Sequence, residues 1–225
     1  MVKRLIAVGC SYTADDYDFP VWPELLSKKL GLSCVNLGQC GSGNEAIYSK
    51  SLDALVSRKN IGMMVVMWSE FQRTDYFLES CNMWNTIHFV VDGNQRNSEK
   101  WKAKVAALLD NNGYNSKKHQ INRTLRFMYS IQKLCEMRNI PFIQVFGTDP
   151  CPQHEKYNAG NTILNSPFFD LMNCIGWPIT ENIGGSTIDS ILNRTTHRID
   201  DNDGHPGKLG HERIVEILLD NLEIL

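Results

Sequence analysis

Arg4-Leu5-Ile6-Ala7-Val8-Gly9-Cys10-Ser11-Tyr12-Thr13 decides the fold class. Four uninterrupted apolar residues, Leu5 to Val8, run into a glycine and then into small polar residues, which is the pattern of a buried strand ending in a tight turn. Three further runs repeat it: Cys34 to Leu37, Gly62 to Trp68 and Pro141 to Phe146, each bounded by Gly, Pro, Asn or Asp. The spacing between them is helical. Trp22 to Leu30 is a short helix beginning beside Pro23, and Asn44 to Ser57 places Ile47, Leu52 and Leu55 near one face. Ile121, Leu125, Met128, Ile131, Leu134 and Cys135 trace a longer helix face, which Asn139-Ile140-Pro141 ends before the next strand. A last helix is expected from about Pro206 to Leu222.

Strands alternating with helices pair in parallel through right-handed crossovers, so the expectation is an α/β protein built as a three-layer α/β/α sandwich. At 225 residues one large domain, 1–225, is expected rather than two small ones. Two stretches fit the sandwich poorly and are expected as loop-rich insertions: about 72–118, polar and Asn-rich after a short strand at Ile87 to Val91, and about 151–198, rich in Gly, Asn and Pro. In parallel sheets, functional groups gather beyond the strand C-termini. That directs attention to Gly9–Thr13, Gly38–Asn44, Trp68–Arg73 and Gly147–Pro150.

Composition narrows the partners. The formal net charge of −2, with 21% charged residues, gives no field of one sign to attract nucleic acid or an anionic membrane. No run approaches the roughly 18 apolar residues of a membrane span. The seven cysteines are odd in number and several lie in apolar runs, which suits free thiols in a reducing, cytoplasmic compartment. Leu5 to Val8 ahead of Gly9-Cys10 is too short for a signal-peptide core. No metal is expected: Cys151-Pro152-Gln153-His154 has ligand-like spacing but no second pair to complete a site. No cofactor is implied, and composition is silent on oligomeric state.

Three segments carry chemistry. Ser11 directly follows the first strand, where the turn would expose its hydroxyl beside backbone N–H groups, with the next residues able to open a helix. The competing reading is a serine that caps a helix. Cys10 is the stronger nucleophile, but strand alternation points it the other way, into packing. Asn36 to Asn44 is a glycine-rich turn after the second strand, suited to an oxyanion hole or a phosphate nest, or simply to positive φ angles. It lacks the lysine of a P-loop. His205, just before Pro206 at the head of the last helix, is held and exposed as a general base requires, with Asp201, Asn202 and Asp203 beside it. His211 falls on that helix, where a surface or capping role is expected.

Gly9-Cys10-Ser11-Tyr12-Thr13, Asn36 to Gly41 and Gly204-His205-Pro206 with Gly210-His211, in this order and over nearly the whole chain, resemble the SGNH or GDSL-like hydrolase superfamily, in particular its phage-encoded variants. The resemblance implies a flavodoxin-like parallel sheet. It also implies Ser11 as the nucleophile on an ester carbonyl, His205 as its base, and the N–H groups of Ser11 and Gly41 in the oxyanion hole. Two positions depart from the family pattern. Its third block ends in Gly-x-Asn-Asp, whose Asn helps hold the oxyanion, whereas Met67-Trp68-Ser69-Glu70 puts Ser69 there; losing such a donor costs on the order of 100- to 1000-fold in rate. The family acid normally lies three residues before the histidine, where this chain has Asn202; Asp201 and Asp203 flank it and the sequence assigns neither, Asp203 being the one taken forward as the expected partner. Trp68, Glu70 and Arg73 are candidate substrate contacts, the alternative for the last two being an ion pair.

These readings lead to a metal-independent esterase acting on a small ester such as an O-acetyl group of a glycan. A phage-encoded chain of this kind would work in the host cytoplasm or in a virion. The rivals are a catalytically impaired fold serving as a binding or virion-associated module and, last, a nucleotide or phosphate binder at Gly38 to Gly43.

Overall fold

The computed structural model describes residues 2–88, 100–114 and 116–222. Its elements run β1 (Arg4–Gly9), α1 (Trp22–Leu30), β2 (Ser33–Asn36), α2 (Asn44–Ser57), β3 (Ile61–Trp68), β4 (Arg73–Leu78), β5 (Met83–His88), α3 (Lys100–Asn111), α4 (Lys117–Met137), β6 (Phe142–Phe146), α5 (Lys156–Leu164), α6 (Ile188–Ile191) and α7 (Lys208–Leu222).

Four strands form one parallel sheet in the order β2-β1-β3-β6, with Ala7 opposite Asn36, Val8 opposite Val66, and Trp68 opposite Phe146. Helices cover both faces, which is why Leu5 to Val8 of β1 and Met63 to Trp68 of β3 are apolar without interruption. Leu5, Ala7, Met63, Val65, Met67, Ile143 and Val145 pack on one side with Trp22 and Leu26 of α1 and Ile214 and Leu218 of α7. Ile6, Val8, Met64, Val66, Trp68 and Phe146 pack on the other with Ile47 and Leu55 of α2 and Leu125 and Met128 of α4. Consecutive residues on a strand thus serve opposite cores, and the three-layer sandwich follows. Among the described residues no helix is long and apolar enough to cross a membrane.

The stretch expected as a loop-rich insertion at 72–118 is more ordered than its composition suggests. β4 and β5 form an antiparallel hairpin, Arg73 opposite His88 and Leu78 opposite Met83, and α3 packs on it through Ala106 against Ile87. The short strand expected at Ile87 to Val91 begins earlier, at Met83; its residues 89–91 lie outside the described residues. The reason is that Arg73, Asp75 and Thr86 are buried polar residues on the strands, and in sequence these read as a loop. The 151–198 stretch holds α5, whose Ala159 and Ile163 join the core on α4, then short turns, a cis Trp177–Pro178 bond and α6.

Candidate active site

β1 ends in a tight turn in which the N–H groups of Thr13 and Ala14 both donate to the Cys10 carbonyl, at 2.9 and 3.1 Å. The chain does not open a helix there as expected, and α1 begins only at Trp22. The turn separates two neighbours: Cys10 is fully buried among the α1/α7 core, while Ser11 reaches the wall of a cavity of about 610 Å³ at the C-terminal edge of the sheet.

His205 arrives from the other end of the chain. An isolated antiparallel bridge pairs Arg198 with Pro206, and the Ile199 N–H donates to the His205 carbonyl at 3.0 Å, closing a loop that ends just before α7. Within it, Oδ1 of Asp200 accepts the N–H groups of Asn202 at 2.7 Å and Asp203 at 2.8 Å. This Asx turn brings the Asp203 carboxylate round to its own histidine. Asp203 Oδ1 lies 2.5 Å from Nδ1 of His205 and also accepts the His205 backbone N–H at 3.0 Å. The Nε2 atom on the opposite side of the ring is 3.0 Å from Ser11 Oγ. The backbone N–H and then the imidazole hold the Asp203 carboxyl below the usual carboxylate range, so it is anionic at neutral pH. Asn202 lines the cavity and Asp201 is exposed.

The glycine-rich turn is stitched alongside. Asn36 donates from Nδ2 to the Thr13 carbonyl at 2.7 Å and accepts the Gly38 N–H at 2.9 Å, while the Gln39 N–H donates to the Gly9 carbonyl at 3.1 Å. A Cβ on Gly38 would lie 2.6 Å from the Thr13–Ala14 backbone, so only glycine allows this approach. Gly41 adopts φ +77°, the left-handed region, with open space where a side chain would be. The backbone N–H groups of Ser11 and Gly41 donate to no described residue.

The third block divides. Ser69 is fully buried and off the cavity wall; its N–H donates to Asn44 Oδ1 at 2.8 Å, its carbonyl accepts Asn44 Nδ2 at 3.0 Å, and its Oγ has no hydrogen-bond partner among the described residues. Trp68, expected at the substrate, is a core residue with its Nε1 donating to Gln144 Oε1 at 3.0 Å. Strand alternation explains this, because the last residue of β3 points into the α2/α4 core. Glu70 and Arg73 do line the cavity, and they also form the ion pair, at 3.2 Å, while Arg73 Nη1 donates to the Ser42 carbonyl at 2.9 Å.

Several residues had no role assigned from sequence. Tyr12, Thr148, Asp149 and Asp189 share the cavity wall. The Tyr12 hydroxyl donates to Asp189 Oδ1 at 2.5 Å, and its burial beside that carboxylate pushes its pKa well above the ordinary tyrosine value. Asp75 accepts the N–H groups of Gly43 and Ala46, each at 2.9 Å, and so caps α2 from the hairpin. Tyr12, beside Ser11, and Thr148 and Asp149, within the Gly147–Pro150 strand end, had a signal in their positions but no role was read for them. The others meet the site through long-range contacts.

Away from the site, His211 is not at the surface but fully buried, where Nδ1 accepts the Trp22 N–H of α1 at 3.2 Å. It therefore caps a neighbouring helix, and burial lowers its pKa to about 4. Cys151 is buried while His154 is exposed beside Glu155.

No protein-family model matches the chain, and no curated protein does. Among solved structures the chain is similar to a lipolytic protein of the G-D-S-L family from Desulfitobacterium hafniense DCB-2, at 12% identity and a TM-score of 0.53, covering 99% of both chains. It is also similar to a G-D-S-L family member from Veillonella parvula DSM 2008, at 11% identity and a TM-score of 0.42, over 97% of both chains. An acetyl xylan esterase from Butyrivibrio proteoclasticus aligns at 11% identity and a TM-score of 0.46, over 98% of this chain and 63% of that one. The first likeness shows the fold: the sandwich is one that G-D-S-L lipolytic proteins use.

Proposed function

We propose that this protein is a serine ester hydrolase in which Ser11 is the nucleophile, His205 the general base and Asp203 the carboxylate that orients it. The observation that carries the reading is the continuous chain Ser11 Oγ to His205 Nε2 at 3.0 Å and His205 Nδ1 to Asp203 Oδ1 at 2.5 Å, at the C-terminal edge of a parallel sheet. With Asp203 anionic, Nδ1 carries the proton and Nε2 is the acceptor facing Ser11. Ser11 Oγ attacks the ester carbonyl as His205 removes its proton, and the oxyanion is met by the N–H groups of Ser11 and Gly41. His205 then protonates the departing alkoxide. Water attacks the acyl-enzyme by the same route in reverse, releasing the acid and restoring the Ser11 hydroxyl. Neither step calls on a metal.

The cavity suits a small hydroxyl-bearing ester, such as an O-acetyl group on a glycan, better than a long acyl chain. Tyr12, Glu70, Arg73, Thr148, Asp149 and Asn202 line it. These groups offer hydrogen bonds to the hydroxyls of such a substrate, which a chain of methylenes could not use.

Ser69 lies off the cavity wall, so no side chain at that position reaches the oxyanion. This favours the second reading, a catalytically impaired binding or virion-associated module. Hydrolysis of p-nitrophenyl acetate, butyrate and octanoate by the wild type, Ser11→Ala and His205→Ala separates the two, with fluorophosphonate labelling of Ser11 alongside. Turnover that falls with chain length and is abolished in both variants supports the esterase. Wild-type turnover no higher than the variants, with no labelling, moves the assignment to the binding module.

A further inference from the structure

Arg198 stands just before the loop that carries Asp203 and His205. Its side chain is 7% exposed, and its guanidinium joins three separate parts of the chain. Nη1 donates to the Tyr12 hydroxyl at 3.0 Å and to the Gly204 carbonyl at 2.8 Å, and it lies 2.9 Å from Asp189 Oδ1. Nη2 donates to the Asp189 carbonyl at 2.8 Å. Tyr12 belongs to the Ser11 turn, Asp189 to α6, and Gly204 is the residue between Asp203 and His205. The Tyr12 hydroxyl is itself 3.3 Å from the Gly204 carbonyl, and the Tyr12 ring stands edge-on to the His205 ring with 5.7 Å between centroids.

We propose that Arg198 is a positioning residue: by tying the Gly204 carbonyl to Tyr12 and Asp189, it holds the His205 ring between Ser11 Oγ and Asp203. This rests on the reading of Ser11 and His205 as nucleophile and base. The guanidinium touches none of the reacting atoms. Its role is geometric. The loop it restrains is mostly exposed, contains a glycine with open space around it, and is otherwise held by the bond from Ile199 and the Asp200 turn. A planar fork spans acceptors on several segments at once, and a lysine ammonium cannot reproduce that spread. Displacement of a catalytic group by about 1 Å costs on the order of 100-fold.

The test compares wild type, Arg198→Lys, Arg198→Gln and Tyr12→Phe in p-nitrophenyl acetate turnover, with the downfield proton NMR resonance of His205 Nδ1–H as a second readout. Arg198→Gln is expected to lower kcat on the order of 10- to 100-fold with KM within about twofold, and to broaden or abolish the resonance. Arg198→Lys should recover part of both. A folded Arg198→Gln protein with wild-type kcat and resonance overturns the proposal, as does a kcat loss that only tracks a reduced folded fraction. Should Arg198→Gln not fold, Tyr12→Phe removes one acceptor and leaves the guanidinium in place. A shifted resonance with lower kcat then supports the clamp, and wild-type values for both overturn it. If Ser11→Ala keeps wild-type turnover, the esterase reading falls instead, while the resonance still reports whether Arg198 holds the Asp203–His205 pair.

Discussion

Asp203 and His205, two residues apart, make a double contact: one carboxylate oxygen accepts both the backbone N–H, at 3.0 Å, and the ring Nδ1, at 2.5 Å. A carboxylate so close in sequence reaches its own histidine because the Asp200 side chain folds the intervening chain into a turn. The ring is thereby held by a neighbour rather than by a distant element, and its orientation depends on the loop conformation.

Asp203→Asn should therefore lower kcat by about 100-fold or more, because the amide no longer selects the tautomer with Nε2 free to accept. Asp201→Asn, at an exposed position, should leave kcat within about twofold. Steady-state kinetics on p-nitrophenyl acetate check both. Equal effects would show that Asp203 is not the orienting carboxylate.

Gly41→Ala and Gly38→Ala should part company. Gly41 has room for a methyl group but holds φ +77°, so alanine costs on the order of 1 kcal/mol of backbone strain and disturbs an N–H assigned to the oxyanion. Activity should fall much more than the melting temperature. At Gly38 the new Cβ meets backbone at 2.6 Å, so stability itself should drop. Thermal melts beside kinetics separate strain from lost chemistry.

Asp75→Ala should destabilise by about 2 kcal/mol, since it strips the Gly43 and Ala46 N–H groups at the head of α2 of their acceptor and leaves the Thr86 hydroxyl, which donates at 2.6 Å, unpaired. The same residue ties the hairpin to the glycine-rich turn, so kcat should fall as well. Chemical denaturation gives the first effect and turnover the second.

His211 sets an acid limit on stability. Its folded pKa, about 4, is depressed by burial below the unfolded value of about 6.5. The unfolded chain therefore binds the proton first. The stabilisation from keeping His211 neutral is complete above the unfolded pKa and is lost as pH falls from about 6.5 toward 4, on the order of 3 kcal/mol in all. Melting temperatures between pH 7.5 and 4 should show this decline, and His211→Asn, which keeps an acceptor for the Trp22 N–H, should flatten it.

The parallel strands were legible because each is covered on both faces. Leu5 to Val8 and Gly62 to Trp68 had to be free of polar side chains, and a small residue, Gly9 or Ser69, follows each. The hairpin was not legible, since Arg73, Asp75 and Thr86 spend buried strand positions on hydrogen bonds to the α2 head and the cavity wall, and a buried polar residue has the sequence signature of a loop. Ser11 and His205 stood out because each follows or precedes a local punctuation of the chain, a glycine turn or a proline at a helix start. Trp68 and Ser69 were placed at the correct strand end, but which way each side chain faces depends on register against β1 and β6.

By itself the sequence determined the layered α/β architecture, the strand ends where chemistry gathers, and the residue types gathered there, because periodicity and turn chemistry are local properties. Only the tertiary structure decided that Asp203 rather than Asp201 meets His205, that Ser69 is turned into the interior, and that Arg198, Asp189 and Tyr12 converge behind the histidine loop. The first depends on how the Asp200 side chain folds its own loop, and the other two on contacts between segments far apart in the chain, whose geometry exists only once the layers have packed.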